Sequence, residues 1–173
     1  MLAKIKNISR KILVFLMFFT INMQWKPHVT VAAIIERQGR FLLVEEMTAH
    51  GLMFNQPAGH LEAGEDLISA VKREVLEETA WRFEPEHLME VQLWRKTPDG
   101  PSFVRFCFTG RLADRDDNRA LDSDIIANHW LTHDEIRAKG DQLRSPLVLK
   151  SINTYLQGKK HPLSLLQSFI DLA

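Results

Sequence analysis

A chain of 173 residues with 22 Lys and Arg against 22 Asp and Glu carries no net charge, and 45% of it is hydrophobic. That size and balance suit one globular domain that needs no disulfide support, and the missing basic excess excludes a bulk binder of nucleic-acid polymers. The lone Cys107, flanked by Phe106 and Phe108, can form neither an internal disulfide nor a thiolate cluster, and reads as a buried strand thiol in a reducing compartment.

In chain order, Lys4, Lys6, Arg10 and Lys11 precede an apolar run from Ile12 to Ile21. A helix of that length covers about 15 Å, half of a bilayer core, so no stable membrane span is expected. A basic stretch before a short apolar core suits a signal-like segment, but no small-residue cleavage site follows before Met23. The other reading makes Met23 the native start and residues 1–22 a dispensable extension.

From Lys26 onward, strands and helices alternate. HVTVAAIIE (28–36) and FLLVEE (41–46) read as a hairpin-like pair turning at Gly39. Residues 47–58, with Gly51, Asn55 and Pro57, read as loop. Leu67, Ile68, Val71, Val75 and Leu76 recur at helical spacing. Strands follow over 88–96 and 102–112, joined at Pro98, Asp99 and Gly100, with a short strand over 125–131. Ser145 as N-cap, Pro146 at the first helical position and Gly158 past the end delimit a helix over 146–157. The expected fold class is α/β, a mixed sheet with helices packed on it.

Glu74, Glu77 and Glu78 crowd the C-terminal turns of the first helix at i, i+3 and i+4. Like charges at those spacings each cost roughly 0.2–0.5 kcal/mol, and the negative end of the helix dipole adds to that. Arg73 alone cannot neutralise three carboxylates. Either the face is solvated, the usual fate of a charge run, or a hard divalent cation resolves the repulsion.

The spacing of Gly59, Glu65, Arg73-Glu74 and Glu77-Glu78 resembles the signature of the Nudix hydrolases, G-x5-E-x7-R-E-U-x-E-E-x-G-U, where U is bulky and apolar. Val75 fills the first apolar slot. Ala80 stands where the signature has its last glycine and Trp81 where it has its last apolar residue, which puts the helix exit in question. The resemblance implies a single α/β/α sandwich over residues 23–173 with a mixed sheet. It implies Mg²⁺ (or Mn²⁺) held by Glu74, Glu77, Glu78 and the Gly59 carbonyl, with Glu65 orienting Arg73 and Arg73 holding a ligand carboxylate. The implied activity is hydrolysis of a phosphoanhydride by a water that a carboxylate deprotonates, and which glutamate acts as base stays open. A further carboxylate is expected just before the strand that ends in tryptophan, where Asp124 precedes Trp130 and Asp122 competes.

KPHVTVA (26–32), NQPAGHLEA (55–63) and LRSPLV (143–148) narrow the resemblance to bacterial phosphatases of this family acting on nucleoside tri- and diphosphates and thiamine-type pyrophosphates. Chains of that kind begin almost directly at the first of these segments, which favours Met23 as the start and a cytoplasmic enzyme. A small-molecule di- or triphosphate is the implied partner. Trp94 and Phe103 are candidates to stack a substrate ring or to fill the sheet core. Arg105, a charge in an apolar strand, either contacts a phosphate or pairs with Glu45, Glu46 or another strand carboxylate. Gln56 and His60 flank the expected metal loop and are candidates for substrate contact. The rival reading is a Nudix-fold module that binds nucleotide or protein without turnover. Oligomeric state stays open, because PLSLLQSFIDL (162–172) could cover this chain's core or a partner's.

Overall fold

The computed structural model describes residues 25–170, so the basic and apolar extension at 1–22 lies outside the described residues. The chain runs through β1 (His28–Ile34), β2 (Glu36–Arg37), β3 (Arg40–Thr48), β4 (Gly51–Asn55), β5 (Ala58–His60) and α1 (Leu67–Thr79). There follow β6 (Trp81–Arg95), β7 (Ser102–Arg115), β8 (Ile125–Thr132), α2 (His133–Lys139), α3 (Leu147–Leu156) and β9 (His161–Pro162).

Unbroken apolar sequence from Val31 to Ile35 is the pattern of a strand covered on both faces, and that is how β1 is used. It lies between β5 and β7 in a five-stranded sheet of order β5-β1-β7-β6-β9, parallel to β7 and antiparallel to β5. Val31, Ala33 and Ile35 face one core with Ala70, Val71 and Val75 of α1. Ala32 and Ile34 face a second core with Ile136 of α2 and Val148 and Ile152 of α3. Helices on both faces of the sheet layer make the α/β/α sandwich. Cys107 is fully buried in the second core, where burial pushes its thiol up.

Three local expectations change. The hairpin after β1 is real but short: Gln38 and Gly39, both at positive φ, turn the chain between β2 and β3, which pair only through Glu36–Phe41 and Arg37–Arg40. At Ile35 the chain leaves the first sheet, and β3 becomes the centre of a second sheet with β2, β4 and β8. Residues 47–58 are not one loop. Gly51 turns the chain back so that Leu52, Met53 and Phe54 pair with β3, and Ala58–His60 then joins β1. Helix α2, absent from the sequence reading, starts at a capping box in which Thr132 accepts from the Glu135 N–H and Glu135 from the Thr132 N–H.

Ser145 does begin the last helix: its Oγ accepts from the Leu147 N–H at 3.2 Å, with Pro146 between them. Past Gly158, Leu163 and Leu166 pack on the α1-side core, so part of the C-terminal segment covers this chain's own interior, while Leu165 and Phe169 stay exposed. No helix among the described residues is long and apolar enough to cross a membrane.

Candidate active site

Helix α1 carries the glutamates inward. Asp66 caps it by accepting from the Ser69 N–H at 2.7 Å. That start places Val71, Glu74, Val75 and Glu78 on one buried stripe, at i, i+3, i+4 and i+7. Glu74 is 8% exposed and Glu78 7%, so the acidic run is not a solvated face. The signature's first glycine has a steric reason: a Cβ on Gly59 would fall 2.1 Å from the Glu74 Cδ. Without it, the carboxylate lies directly against β5.

Arg73 organises this face. Its Nε and Nη2 donate to the two oxygens of Glu65 at 3.0 and 2.7 Å, a bidentate pair, and Nη2 also donates to the His60 carbonyl at 2.9 Å. Nη1 donates to Glu74 at 2.8 Å and to Glu77 at 2.9 Å. These hydrogen bonds hold the Glu65 carboxyl below its usual range and the guanidinium above its own. Glu78 has no such partner. Burial pushes its carboxyl up to about 9, opposed by the Ala58 N–H at 2.9 Å and reinforced by Glu74, Glu46 and Asp122. Glu74 is also raised, by burial first, with Arg73 pulling the other way.

Among the described residues, no three acidic, His or Cys side chains already converge as a closed ligand cage. Arg73 holds Glu74 and Glu77, and a backbone amide holds Glu78. The donor set nonetheless fits a hard divalent cation. It is all oxygen, it carries more buried negative charge than Arg73 neutralises, and the missing Gly59 side chain keeps Glu74 against the loop backbone.

Ala58 and Gly59 also line a cavity of about 460 Å³. Its far wall comes from other elements: Thr30, Trp94, Lys96, Phe103 and Arg105 of the five-stranded sheet and the loop after β6, and Arg144 and Ser145 before α3. Trp94 and Phe103 therefore belong to the cavity and not to the core, their ring centroids 5.8 Å apart, and Phe103 stacks on His28 at 5.0 Å. His60 lines the same cavity. Burial and then His28 push its imidazole down.

Arg105 lines the cavity too, and neither Glu45 nor Glu46 is its partner. Glu45 meets His129 at 2.9 Å and Glu46 meets Arg144 at 3.3 Å, whereas Arg105 donates to the Gln56 amide oxygen at 2.8 Å. Gln56 is 1% exposed and is absent from the cavity wall, so the expectation of direct substrate contact is corrected: it stands behind Arg105. Asp124 and Asp122 are both exposed, and neither lines the cavity. The Asp122 N–H donates to the Glu77 carbonyl and its charge bears on Glu74 and Glu78, whereas Asp124 bears on Glu46 and its carbonyl receives the Met47 N–H.

Sequence reasoning missed Glu46 as a site residue. It lines the cavity, and burial raises its carboxyl against the pull of Arg144. Its one local signal was a second carboxylate at the end of an apolar strand, where the β3–β8 register shifts between Glu45 and Glu46.

The sequence profile of the NUDIX domain matches residues 26–150. The chain is 42% identical over 145 residues to Phosphatase NudJ of Shigella boydii, covering 84% of this chain and 94% of that protein. It is 41% identical, over the same shares, to Phosphatase NudJ of Escherichia coli K12. A solved NUDIX hydrolase from Nitrosomonas europaea superimposes with a TM-score of 0.81 at 46% identity, over 83% of this chain and 98% of that one.

Proposed function

This chain belongs to the Nudix hydrolase family, and from that premise we propose a divalent-metal-dependent hydrolase of phosphoanhydrides in small molecules. Its substrates are nucleoside tri- and diphosphates, with thiamine-type pyrophosphates as a second class. The observation that carries this reading is the burial of Glu74 and Glu78 directly behind Ala58 and Gly59, two residues that line a cavity also walled by Arg105, Lys96, Trp94 and Phe103. Glu74, Glu77, Glu78 and the Gly59 carbonyl would hold Mg²⁺ or Mn²⁺, with Asp124 or Asp122 completing the site from the loop before β8. Such an ion, when bound, polarises the phosphoryl oxygens and neutralises charge that develops on them.

The chain's own residues supply the rest. Glu65 fixes the Arg73 guanidinium through two hydrogen bonds, and Arg73 holds Glu74 and Glu77 in place. Glu78, held neutral by burial, must release its proton to act as ligand or base. Trp94 and Phe103 offer ring faces to the group carrying the phosphates. Stacking of that kind tolerates different bases, since every base has a π-face. Arg105 contacts a phosphate oxygen. The functional unit is residues 23–173, acting in the cytoplasm.

The test is phosphate and pyrophosphate release from nucleoside di- and triphosphates and thiamine pyrophosphate, with and without Mg²⁺ or Mn²⁺. The full chain and residues 23–173 would be compared, alongside Glu77→Gln and Glu78→Gln. Metal-dependent release, lost in both glutamate variants, is the expected result. A folded protein that binds the metal yet releases nothing from any of these substrates is a binding module, and the proposal fails.

A further inference from the structure

One buried charge remains unmatched. Arg105 is 6% exposed, and no Asp or Glu among the described residues forms an ion pair with it. Gln92 faces it across the β6–β7 ladder, and the nearby Glu90 is engaged elsewhere, accepting from Gln92 Nε2 at 2.7 Å and Thr154 Oγ1 at 3.2 Å. Arg105 Nη2 donates to a neutral amide oxygen and its Nε has no hydrogen-bond partner. A buried cation left in that state is destabilising unless an anion reaches it.

Gln56 cannot relieve this by turning over. Its Nε2 donates at 2.7 Å to the Val148 carbonyl, which is an acceptor only. The amide oxygen is thereby fixed toward Arg105, and the guanidinium is aimed at the cavity. Arg144, Ser145 and Lys96 line that same wall, and α3 starts from it. We propose that Arg105, positioned by Gln56, is a metal-independent seat for a phosphate group. Its ligand is a phosphoryl group of a phosphoanhydride substrate or free orthophosphate, held apart from the carboxylate face. The inference rests on the hydrolase reading only for the identity of the anion, since the seat needs neither metal nor turnover.

The test is calorimetric titration of the full chain in EDTA at fixed ionic strength, with inorganic orthophosphate and, separately, methylenediphosphonate, a diphosphate analogue that cannot be hydrolysed. Binding of at least one is expected. Arg105→Gln should weaken it ten-fold or more, and Arg111→Gln, at an exposed arginine of the same strand that does not line the cavity, should leave it within about two-fold.

Gln56→Glu guards against a folding artefact. It places a near-isosteric carboxylate beside the guanidinium and gives up the hydrogen bond to the Val148 carbonyl, so anion affinity should fall ten-fold or more while circular dichroism and cooperative unfolding show the fold retained. Orthophosphate binding as well as the diphosphonate assigns the seat to a single phosphate that free product can reach; binding of the diphosphonate alone assigns it to the substrate. No anion binding in EDTA, or binding unmoved by both Arg105→Gln and Gln56→Glu, overturns the proposal. Failure of the hydrolase reading would look different, with the anion still bound in EDTA and no release from any phosphoanhydride when metal is added.

Discussion

The carboxylate face of α1, an acidic wall behind Ala58 and Gly59, and the cationic wall of the cavity itself solve opposite electrostatic problems. On the α1 side, Glu65, Glu74 and Glu77 share the Arg73 guanidinium, and the buried Glu78 meets only a backbone amide. On the sheet side, a buried guanidinium meets an amide and no carboxylate. Each wall is left with uncompensated charge of one sign, and the signs differ. A metal–phosphate pair has the complementary pattern, its cation for one wall and its phosphoryl oxygens for the other. Burial alone would make both walls liabilities; together they describe a ligand.

The largest effect should come from emptying the acidic wall of charge. Glu77→Gln keeps the shape of the side chain and removes a proposed metal ligand, so kcat should fall by about 10²-fold or more, since a bound metal contributes several kcal/mol of transition-state stabilisation. A rate within about three-fold of the parent would break the comparison at its stronger half. Next is the steric condition of that wall. Gly59→Ala puts a methyl group 2.1 Å from the Glu74 Cδ, and overpacking of that kind typically costs about 1–3 kcal/mol. Chemical denaturation measures the cost, and metal titration should show weakened binding in the same variant. An alanine tolerated in both measurements would mean that Glu74 is free to swing away.

The acidic wall was legible as a pattern, whereas Arg105, Trp94 and Phe103 were legible only as separate candidates, for a physical reason. Gly59, Glu65, Arg73, Glu74, Glu77 and Glu78 lie on the short strand β5, the loop after it and one helix, where spacing in sequence fixes spacing in space. Arg105, Trp94 and Phe103 meet only through the β6–β7 register, and Arg144 joins them only once α3 docks on the other side. Gln56 looked like a substrate contact because it adjoins the loop, yet its direction was set by Val148, 92 residues away. The fold shows the same division. The α1 helix, the β6–β7 turn and the Ser145 cap follow from local signals. The short β2–β3 hairpin and the pairing of β4 depend on β1 leaving one sheet and β3 entering another, and neither strand announces that.

A subtler test uses pH. Between the ordinary carboxylate value and about 9, the folded metal-free chain keeps a proton on Glu78 that the unfolded chain has already released. The folded state then binds more protons, so stability must fall as pH rises through that window. Metal affinity should rise over the same range, because binding displaces the proton. Thermal unfolding in EDTA from about pH 5 to about pH 8.5 should show Tm dropping in the parent and a flatter profile in Glu78→Gln. Parallel profiles would mean that Glu78 is solvated, and the acidic wall would lose its main reason to attract a cation.

The smallest effect concerns the exit from α1, where the chain departs from the family signature. Ala80 occupies the left-handed region at φ 60° and ψ 7°, with its N–H bonded to the Leu76 carbonyl at 2.9 Å. The helix thus ends as glycine would end it, and alanine bears a strain of about 1–2 kcal/mol. Ala80→Gly removes the strain, but it also gives up a methyl group that is almost fully buried and frees the unfolded chain. The net expectation is a gain of about 0.5–1 kcal/mol, or roughly 1–4 °C in Tm for a domain of this size, with kcat and metal affinity unchanged. A loss of stability would show that the methyl packs well enough to outweigh the strain. Alanine would then be held there by the core beneath the acidic wall, and a change at 80 should begin to alter how Glu77 and Glu78 are presented.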